Sequence, residues 1–359
     1  MSLNGSAEVS PTLYPVDNCT NIEGFWELLA TLQPIYLTLI SAIGLLGNGF
    51  VLCIFCLQRK ASCSVPDVYL GNLAAADLVL VICLPFWAVT IANNFDWVFG
   101  VLFCKLVSVA IYMNYFCSVL FLVLVSVDRY LALVQPMRPS CLRRAPWAKR
   151  ICLAIWLLGL LLSLPVLLFR TVAYVPEARA SACFLAYPHQ GWRVQHNITV
   201  NVVGFLVPLP VVTFCTYHII KALRNGGPVG VAARGMRNER KATQLVLAVL
   251  IVFVFCWMPY QVVRALDTID YFRVKTSCWW GDFMDVSEQL VVYLAYSNSA
   301  VNPFLYVIVG KHFRRKARAV LKQCWPYRSK GNASFSGNAS SLSRETRKIS
   351  LNRIDKLMC

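Results

Sequence analysis

Five acidic side chains crowd into residues 265–289: Asp267, Asp270, Asp282, Asp285 and Glu288. The whole chain has a formal net charge of +17, so this acidic segment opposes the general balance. Carboxylates bind guanidinium groups well, and a concentrated negative region attracts cationic ligands. The segment therefore indicates a binding site for a cation. The alternative is that the acids only solvate a loop and pair with Arg264, Arg273 and Lys275.

A second polar group surrounds Asp77, which lies in an otherwise apolar stretch. An acid at the centre of a membrane costs roughly 2.5–3.5 kcal/mol, so it requires a function or a set of partners. Residues at helical spacing supply the partners: Asn114 and Ser118 in one stretch, and Asn298, Ser299 and Asn302 in another. These oxygens predict a small-cation site, with Na⁺ as the expected ion. A purely structural hydrogen-bond network is the alternative.

Catalytic and nucleic-acid chemistry find no support in the sequence. The chain has four histidines, no metal-binding pair at helical spacing, no phosphate loop and no nucleophile elbow. His189 and His196 are seven residues apart, a spacing that we do not interpret as a zinc site. We expect no enzyme activity, no cofactor other than the possible Na⁺, and no nucleic-acid partner.

The elements that carry these residues are predicted to be membrane-spanning helices. The chain is 58% hydrophobic and 14% charged, with a mean hydropathy of +0.58, which is too apolar for a soluble domain. About 20 apolar residues in a helix cross a bilayer. Seven stretches meet that requirement, at 34–57, 68–93, 104–134, 148–168, 198–222, 239–266 and 286–309. We expect no removable signal peptide before the first of them.

The distribution of charge orients these spans. Of the 34 lysines and arginines, 27 fall on one side of the predicted topology, and that side is expected to be cytoplasmic. The opposite side holds 11 of the 17 acids, including the acidic segment at 265–289. The sequence thus predicts an extracellular N-terminus and a cytoplasmic C-terminus. We attribute the basic interior to orientation and to contact with anionic membrane lipid.

Four of the fifteen cysteines fall on the extracellular side, which allows three pairings. Cys104 opens span three and Cys183 lies in the loop after span four, so we predict Cys104–Cys183 and Cys19–Cys278. The sequons at Asn4 and Asn18 are predicted glycosylation sites, and Asn197 is left open because of its nearness to span five. Asn332 and Asn338 fall on the cytoplasmic side and should carry no sugar.

A transporter or a channel is the other class of membrane protein to weigh. Prolines at 85, 165, 208, 259 and 303 lie deep in five spans and permit kinks. Seven spans do not divide into the matching halves of an inverted repeat, and no charged ring or carbonyl filter is visible. The sequence favours a receptor instead.

Several motifs, each in its own span, resemble those of the class A, rhodopsin-type G-protein-coupled receptors. The matching residues are Gly47-Asn48, Leu73 to Asp77, Asp128-Arg129-Tyr130, Trp156, Cys256 to Pro259 and Asn302 to Tyr306. The resemblance covers about residues 25–324. It implies an all-α membrane protein, a seven-transmembrane helix bundle with an amphipathic eighth helix, at the plasma membrane.

Longer runs resemble the kinin (bradykinin) receptors, and the type-2 subtype most of all. These runs are 69–77, 84–87, 93–97, 127–133, 201–205 and 295–299. The resemblance implies a short cationic peptide ligand. It assigns Asp267 and Asp285 to the ligand's N-terminal arginine and amine, Arg170 to its carboxylate, and Trp87, Tyr260, Gln289 and Tyr296 to the cavity walls. Receptors of the angiotensin and chemokine types are the near alternatives.

One position departs from the kinin pattern. Tyr112 replaces the residue that separates ligands with and without a C-terminal arginine, and it is not the lysine of the inducible subtype. Nothing at this position repels a C-terminal arginine, so we favour the full-length kinin as ligand.

The resemblance also implies a route for the signal. Trp257 matches the switch beneath the cavity, Asn302, Pro303 and Tyr306 match the corresponding element of span seven, and Asp128, Arg129 and Tyr130 match the site of G-protein coupling. The expected partner is a heterotrimeric G protein of the Gq class, with calcium release.

The domain limits follow from this topology. We expect an extracellular tail at 1–33, the bundle at 34–309, an amphipathic juxtamembrane helix at 310–324 and a disordered cytoplasmic tail at 325–359. Phe313, Ala317 and Leu321 recur every four residues opposite basic side chains. Cys324 is the predicted palmitoylation site. Serines and threonines of the tail are candidate phosphorylation sites for receptor kinases and arrestin.

Overall fold

A computed structural model describes residues 23–57, 64–135, 144–176, 179–189, 191–224, 231–273 and 278–324. The elements, in chain order, are α1 Glu23–Leu57, α2 Val65–Ala92, α3 Gly100–Leu133, α4 Ala145–Phe169, β1 Arg170–Val175, β2 Ala180–Leu185, α5 Gly191–Asn201, α6 Pro208–Arg224, α7 Val231–Tyr271, α8 Cys278–Ile308 and α9 Lys311–Cys324. The predicted helical bundle is confirmed. Helix α1 begins at Glu23, so residues 23–33 belong to that helix and not to the expected tail.

Six helical units in the described parts of the chain are long and apolar enough to cross a membrane. They comprise α1 to α4, the continuous α5–α6 rod, and the part of α7 from Leu247 to Tyr271. Helix α8 is less apolar, because Asp282, Asp285 and Glu288 lie near its start and Asn298 and Asn302 lie within it.

The α5–α6 rod contains a turn of π-helix at Val202–Leu206. Pro208 follows this turn and has no N–H to donate, so the regular ladder of hydrogen bonds is interrupted there. The N–H of Val207 instead donates to the carbonyl of Val202, five residues earlier, at 2.9 Å. The turn exposes the Gly204 backbone to helix α3, where it meets Tyr115.

Helix α3 lies at the centre of the bundle and packs against α2, α4 and α6. The main core is built around it from side chains such as Phe116, Phe121 and Leu122, each no more than 2% exposed. Leu73 of α2 and Tyr306 of α8 join the same core. The centre of the bundle is therefore closed, and the open space lies toward the end of the bundle that carries the hairpin.

Strands β1 and β2 form an antiparallel hairpin with Arg170 opposite Leu185 and Val172 opposite Cys183. The all-α prediction omitted this hairpin. Cys183 forms the predicted disulfide with Cys104 at the start of α3, with an S–S distance of 2.03 Å. The N–H of Trp97 donates to the Ser181 carbonyl at 2.8 Å, which fixes the β2 strand to the segment between α2 and α3. Both ties hold the hairpin over the end of the bundle.

Candidate functional site

An open cavity of about 260 Å³ lies between α2, α3, α7 and α8 beneath the hairpin. Aromatic side chains dominate its walls, and a few polar groups face inward, as is typical of a ligand site. Six of the eight residues predicted to bind ligand line it. These are Trp87, Tyr112, Arg170, Tyr260, Gln289 and Tyr296.

A second cavity of about 580 Å³ adjoins the first and lies under the hairpin and beside α5. Tyr112, Arg170, Arg264 and Glu288 line both cavities, so the two spaces share a wall of charged and aromatic side chains. Asp267 lines this second cavity. The combined space contains three arginines, at 170, 193 and 264, and two acids, at 267 and 288.

Asp267 is 8% exposed and already holds partners within the chain. The amide of Asn197 donates to its carboxylate at 2.6 Å, and Arg193 forms an ion pair with it. Both partners come from α5, which follows the hairpin. The Asp267 carboxylate is therefore already bound by one guanidinium and one amide of the chain itself.

Asp285 is exposed and does not line either cavity. Of the two acids predicted to bind the N-terminal arginine and amine, Asp267 alone lines a cavity, and the assignment of both to the ligand stays a prediction. The acid that α8 does present to the cavities is Glu288, three residues further along the helix. Asp270 has a structural partner, because the indole N–H of Trp280 donates to it at 2.8 Å.

Two partly buried arginines lie in the shared wall. The Arg170 guanidinium lies 5.4 Å from the Trp87 ring centre, and that of Arg264 lies 5.1 Å from the Tyr260 ring centre. Glu288 forms an ion pair with Arg264. In the described parts of the chain, Nε of Arg170 and Nε of Arg264 are buried and have no hydrogen-bond partner.

Burial shifts the pKa values of two residues near this wall, Arg170 and Tyr187, which both lie outside the membrane spans. Burial lowers the pKa of the Arg170 guanidinium, an effect that neighbouring tyrosines oppose. Burial likewise raises the pKa of the Tyr187 phenol, whereas the arginines at 264, 170 and 193 act in the opposite direction. Tyr187 and all three arginines line the second cavity, so their charges face one space.

Trp257 forms the floor of the first cavity. Its ring centre lies 4.5 Å from that of Tyr115, whose hydroxyl donates to the Val200 carbonyl at 3.1 Å. Gln261 donates to the same hydroxyl at 2.6 Å. The Tyr115 hydroxyl therefore joins α3, α5 and α7 directly below the cavity.

Asp77 is fully buried, and its carboxylate accepts three hydrogen bonds. The donors are Ser299 at 2.7 Å, Asn302 at 2.8 Å and Asn114 at 3.4 Å. Asn114 also donates to Ser118 at 3.2 Å. The structure thus brings together α2, α3 and α8 through the residues that the spacing singled out. Asn298 is 1% exposed, and its side-chain oxygen has no partner in the described residues.

At the opposite end of the bundle from the cavities, Arg129 and Asp128 form a buried ion pair of 2.5 Å. The Tyr130 ring packs against Phe214 and His218 of α6. Tyr306 is 1% exposed, and its ring centre lies 6.1 Å from that of Phe313 in α9. The side chain of Pro303 lies against Gly47 of α1, where an added Cβ would come within 2.8 Å.

Helix α9 buries Phe313, Ala317 and Val320. The prediction placed Leu321 on this face, but Leu321 is 50% exposed and Val320 takes its place. It also placed the basic residues on the opposite face, whereas Lys316 is 7% exposed and forms an ion pair with Asp67 of α2. Asp67 also accepts from the Ser64 backbone N–H at 2.7 Å, which caps α2.

Several predicted sites lie outside the described residues or side chains. They are Asn4, Asn18, Cys19 and the side chains of Cys278 and Cys324. The Cys19–Cys278 pairing, the glycans and the palmitoyl group therefore stay predictions. Asn197 is 2% exposed and bonded to Asp267, which leaves no room for a glycan at that sequon. His196 is buried against Tyr112, and the described residues contain no group of three or more metal-binding side chains.

Sequence reasoning did not include Arg193 and Arg264 among the cavity residues, and it named Glu288 only as one of the five acids of the segment at 265–289. Arg264 was considered only as a partner for loop acids. A signal did exist: Arg264 lies three residues before Asp267 and Glu288 three residues after Asp285, so each pair shares a helix face. Nothing in the sequence indicated that Arg193, 74 residues from Asp267, would be its partner.

Comparison of the sequence with known proteins shows the family of the chain and several similar receptors. Residues 47–306 match the model of the 7 transmembrane receptor (rhodopsin family). The chain is 49% identical over 308 residues to the B2 bradykinin receptor of Mus musculus, covering 85% of this chain and 78% of that protein. It is 47% identical over 313 residues to the B2 bradykinin receptor of Homo sapiens, covering 86% and 79%. Identity to the B1 bradykinin receptor of Homo sapiens is 40% over 308 residues, covering 86% and 87%.

Proposed function

The chain belongs to the rhodopsin family of seven-transmembrane receptors, and from that premise we propose that it is a receptor for a short cationic peptide of the kinin class. Membership of this family makes the protein a multi-pass membrane receptor and not an enzyme. The observation that carries the ligand class is the 47–49% identity to B2 bradykinin receptors over more than four fifths of the chain.

The cavity supports this ligand class by its chemistry. Trp87, Tyr260 and Tyr296 offer rigid apolar surfaces at low entropic cost, which suits phenylalanine and proline side chains of a peptide. Asp267 takes the arginine and amine at the N-terminus of the peptide after exchange with Arg193. Asp285, being exposed, acts earlier and attracts the cationic peptide toward the opening.

Binding is transmitted by a shift between two packings of the bundle. A ligand shifts such an equilibrium only by binding one packing more tightly than the other. Trp257 at the floor senses the peptide, Asn302, Pro303 and Tyr306 relay the change, and release of Arg129 from Asp128 admits a heterotrimeric G protein, with Tyr130 beside it. We propose the Gq class and calcium release as the output.

Na⁺ is proposed as an allosteric ion at Asp77, held by oxygens of Ser118 and Ser299 with the amides of Asn114 and Asn298. The set fits a hard cation, since it offers a buried carboxylate and hydroxyls, and Asn298 contributes an amide oxygen without a partner. When bound there, Na⁺ supplies positive charge that neutralises Asp77 and favours the resting packing.

The receptor is proposed to lie in the plasma membrane with its N-terminus outside and its C-terminus in the cytoplasm. Receptor kinases and arrestin act on the tail, and a palmitoyl group on Cys324 with anionic lipid holds α9 at the inner leaflet. The charge balance of the loops supports this orientation.

The test is direct. Cells without endogenous kinin response are transfected with the full chain, and both binding of labelled bradykinin and intracellular calcium are recorded against bradykinin, angiotensin and chemokine peptides. We expect saturable binding of bradykinin and a calcium rise that a Gq inhibitor abolishes. Absence of bradykinin binding at normal surface expression overturns the ligand class, whereas binding without calcium overturns only the coupling.

A further inference from the structure

The wall shared by the two cavities contains an ion pair that the proposed ligand contacts leave unused. Arg264 of α7 pairs with Glu288 of α8, and both side chains line both cavities. The Arg264 side chain is 16% exposed and that of Glu288 is 44% exposed. The pair is thus open to a guest in the cavity, with its cation held deeper than its anion.

Each partner has bonding capacity left over. Arg264 gives one terminal nitrogen to Glu288, while its buried Nε has no hydrogen-bond partner in the described parts of the chain. A guanidinium carries five N–H donors, so this one can bind a further carboxylate without releasing Glu288. Arg170 lines the same two cavities and also has an unpartnered buried Nε.

Glu288 can bind a cationic group of the ligand in addition to Arg264. One of its oxygens pairs with Arg264, and an ionised carboxylate has about four acceptor sites. Since a carboxylate binds a guanidinium well, Glu288 can hold a cation from the ligand alongside the cation of the protein. Asp267, the other acid of the two cavities, is already occupied by Arg193 and Asn197.

We propose that Arg264 and Glu288 are the residues that select an arginine with a free carboxylate at the C-terminus of the peptide. The carboxylate of that last residue binds between Arg264 and Arg170, and its guanidinium binds Glu288. The stem of the arginine side chain lies against Tyr112, which separates the two cavities. This inference rests on the proposed function and adds to it the chemistry of the last residue.

One C-terminal residue of the ligand thus contacts protein groups of opposite charge: its carboxylate contacts the arginines and its guanidinium contacts Glu288. A ligand without its last arginine leaves Glu288 without a second cation, and a ligand with a C-terminal amide leaves two arginines without a carboxylate. The bound peptide would cover Glu288 and both arginines, and a charged group enclosed in an interface without its partner is costly, so either change is expected to weaken binding by about thirtyfold.

The experiment is a pair of double-mutant cycles between receptor and ligand. The peptides are bradykinin, its analogue with neutral citrulline in place of the last arginine, and its C-terminal amide. The receptors are the wild-type chain, E288Q and R264Q, with D282N as matched control, since Asp282 lies in the same helix but lines neither cavity. Affinities are measured by competition against a labelled antagonist without charge, with surface amounts from an N-terminal tag.

We expect the wild-type receptor and D282N to prefer bradykinin over the citrulline analogue by about thirtyfold, and E288Q to lose most of this preference. R264Q should instead lose its preference for the free carboxylate over the amide. Equal reductions for every peptide mean that the ion pair only joins α7 to α8, and they overturn the proposal. Equal affinity of the wild-type receptor for bradykinin and citrulline analogue also overturns it, with no variant needed.

The outcomes separate this inference from the proposed function. If the wild-type receptor binds no bradykinin, the ligand class itself is wrong. If it binds bradykinin but the cycles show no coupling, only the role of Arg264 and Glu288 is wrong. Should E288Q not reach the surface, E288D keeps the charge and withdraws it by one methylene, and it should show a reduced preference for arginine over citrulline.

Discussion

At the scale of single residues, Asp267 and Asp285 differ in ways that their sequence positions do not show. Asp267 is buried and paired with Arg193, whereas Asp285 is exposed. The electrostatic contribution of an exposed charge is small because water and salt screen it, and that of a buried one is large. The two acids should therefore contribute differently to peptide binding.

Neutralising them one at a time tests this difference. We expect D267N to weaken bradykinin binding by about thirtyfold or more and D285N by about fivefold or less. Both effects should exceed those on an uncharged antagonist, measured by competition on the same cells. D270N serves as control, because Asp270 bonds to Trp280 and lines neither cavity. Equal losses for the peptide and the uncharged antagonist contradict the assignment.

Gly204 is a second residue whose importance depends on a single contact. A Cβ built on it would lie 1.8 Å from the Tyr115 hydroxyl, so the π turn can approach α3 only because this residue is a glycine. We expect G204A to lower the free energy of unfolding by about 1–3 kcal/mol and to reduce surface expression. Thermal unfolding of purified receptor measures the effect. G49A is the control, since nothing lies within 4 Å of its added Cβ, and an equal loss there refutes the explanation.

Residue-scale prediction from the sequence succeeded where partners are fixed by helical spacing. Asn114 and Ser118 lie four apart on α3 and bond to each other, and Asn114 also bonds to Asp77. It did not reveal the internal partner of Asp267, because Arg193 is brought near by the course of the chain through the hairpin and α5. Contacts between distant segments leave no spacing pattern to read.

At the scale of elements, the hydropathy pattern placed the end of each long helix within about five residues, whereas α1, the α5–α6 rod, α7 and α8 begin 7 to 11 residues before the predicted spans. Helix α1 extends back to Glu23, since residues 23–33 are also helical. The prediction began at residue 34 because the start of this segment is more polar than a membrane span. The hairpin escaped prediction since its two strands are only six residues each and lie between long helices. The π turn had a local signal in Pro208, but the sequence did not reveal that Tyr115 would fill the space beside Gly204.

The junction between α9 and α2 depends on one buried ion pair. Lys316 and Asp67 have side chains that are 7% and 5% exposed, so loss of the lysine charge leaves the buried Asp67 carboxylate without this cation. We expect K316M to lower the free energy of unfolding by roughly 3–5 kcal/mol, measured by thermal unfolding in detergent.

The double variant K316M/D67N should recover part of that loss, since it removes both charges. The recovery is incomplete, because Asp67 also caps α2 through Ser64. K322M is the control, as Lys322 lies on the same helix and is exposed. No difference between K316M and K322M refutes a stabilising role for the pair.

At the scale of the whole molecule, the two ends of the helix bundle differ in both charge and structure. The cavities open toward the hairpin, and the Asp128–Arg129 pair lies at the other end of the bundle. The acids of residues 265–289 fall at the hairpin end and the basic α9 at the other. Segment charge could be counted from sequence alone, whereas the depth and division of the cavities required the packed helices.

Glycan mapping tests this polarity. We expect enzymatic deglycosylation to increase the electrophoretic mobility of the wild-type protein and to leave that of N4Q/N18Q unchanged. N332Q and N338Q should behave as wild type, because the proposed orientation assigns those sequons to the cytoplasmic side. N197Q should also leave glycan content unchanged, since Asn197 is 2% exposed and bonded to Asp267. A mobility shift that disappears only in N332Q or N338Q reverses the orientation.

The Tyr115 hydroxyl, which joins α3, α5 and α7 through Val200 and Gln261, has a mechanical consequence. These two hydrogen bonds are 3.1 and 2.6 Å long. A hydrogen bond tolerates only a small change in length, so α5 and α7 can shift only slightly relative to α3 while both hydrogen bonds remain. Displacement of α5 or of α7 therefore either moves the other helix as well or breaks one of the two hydrogen bonds.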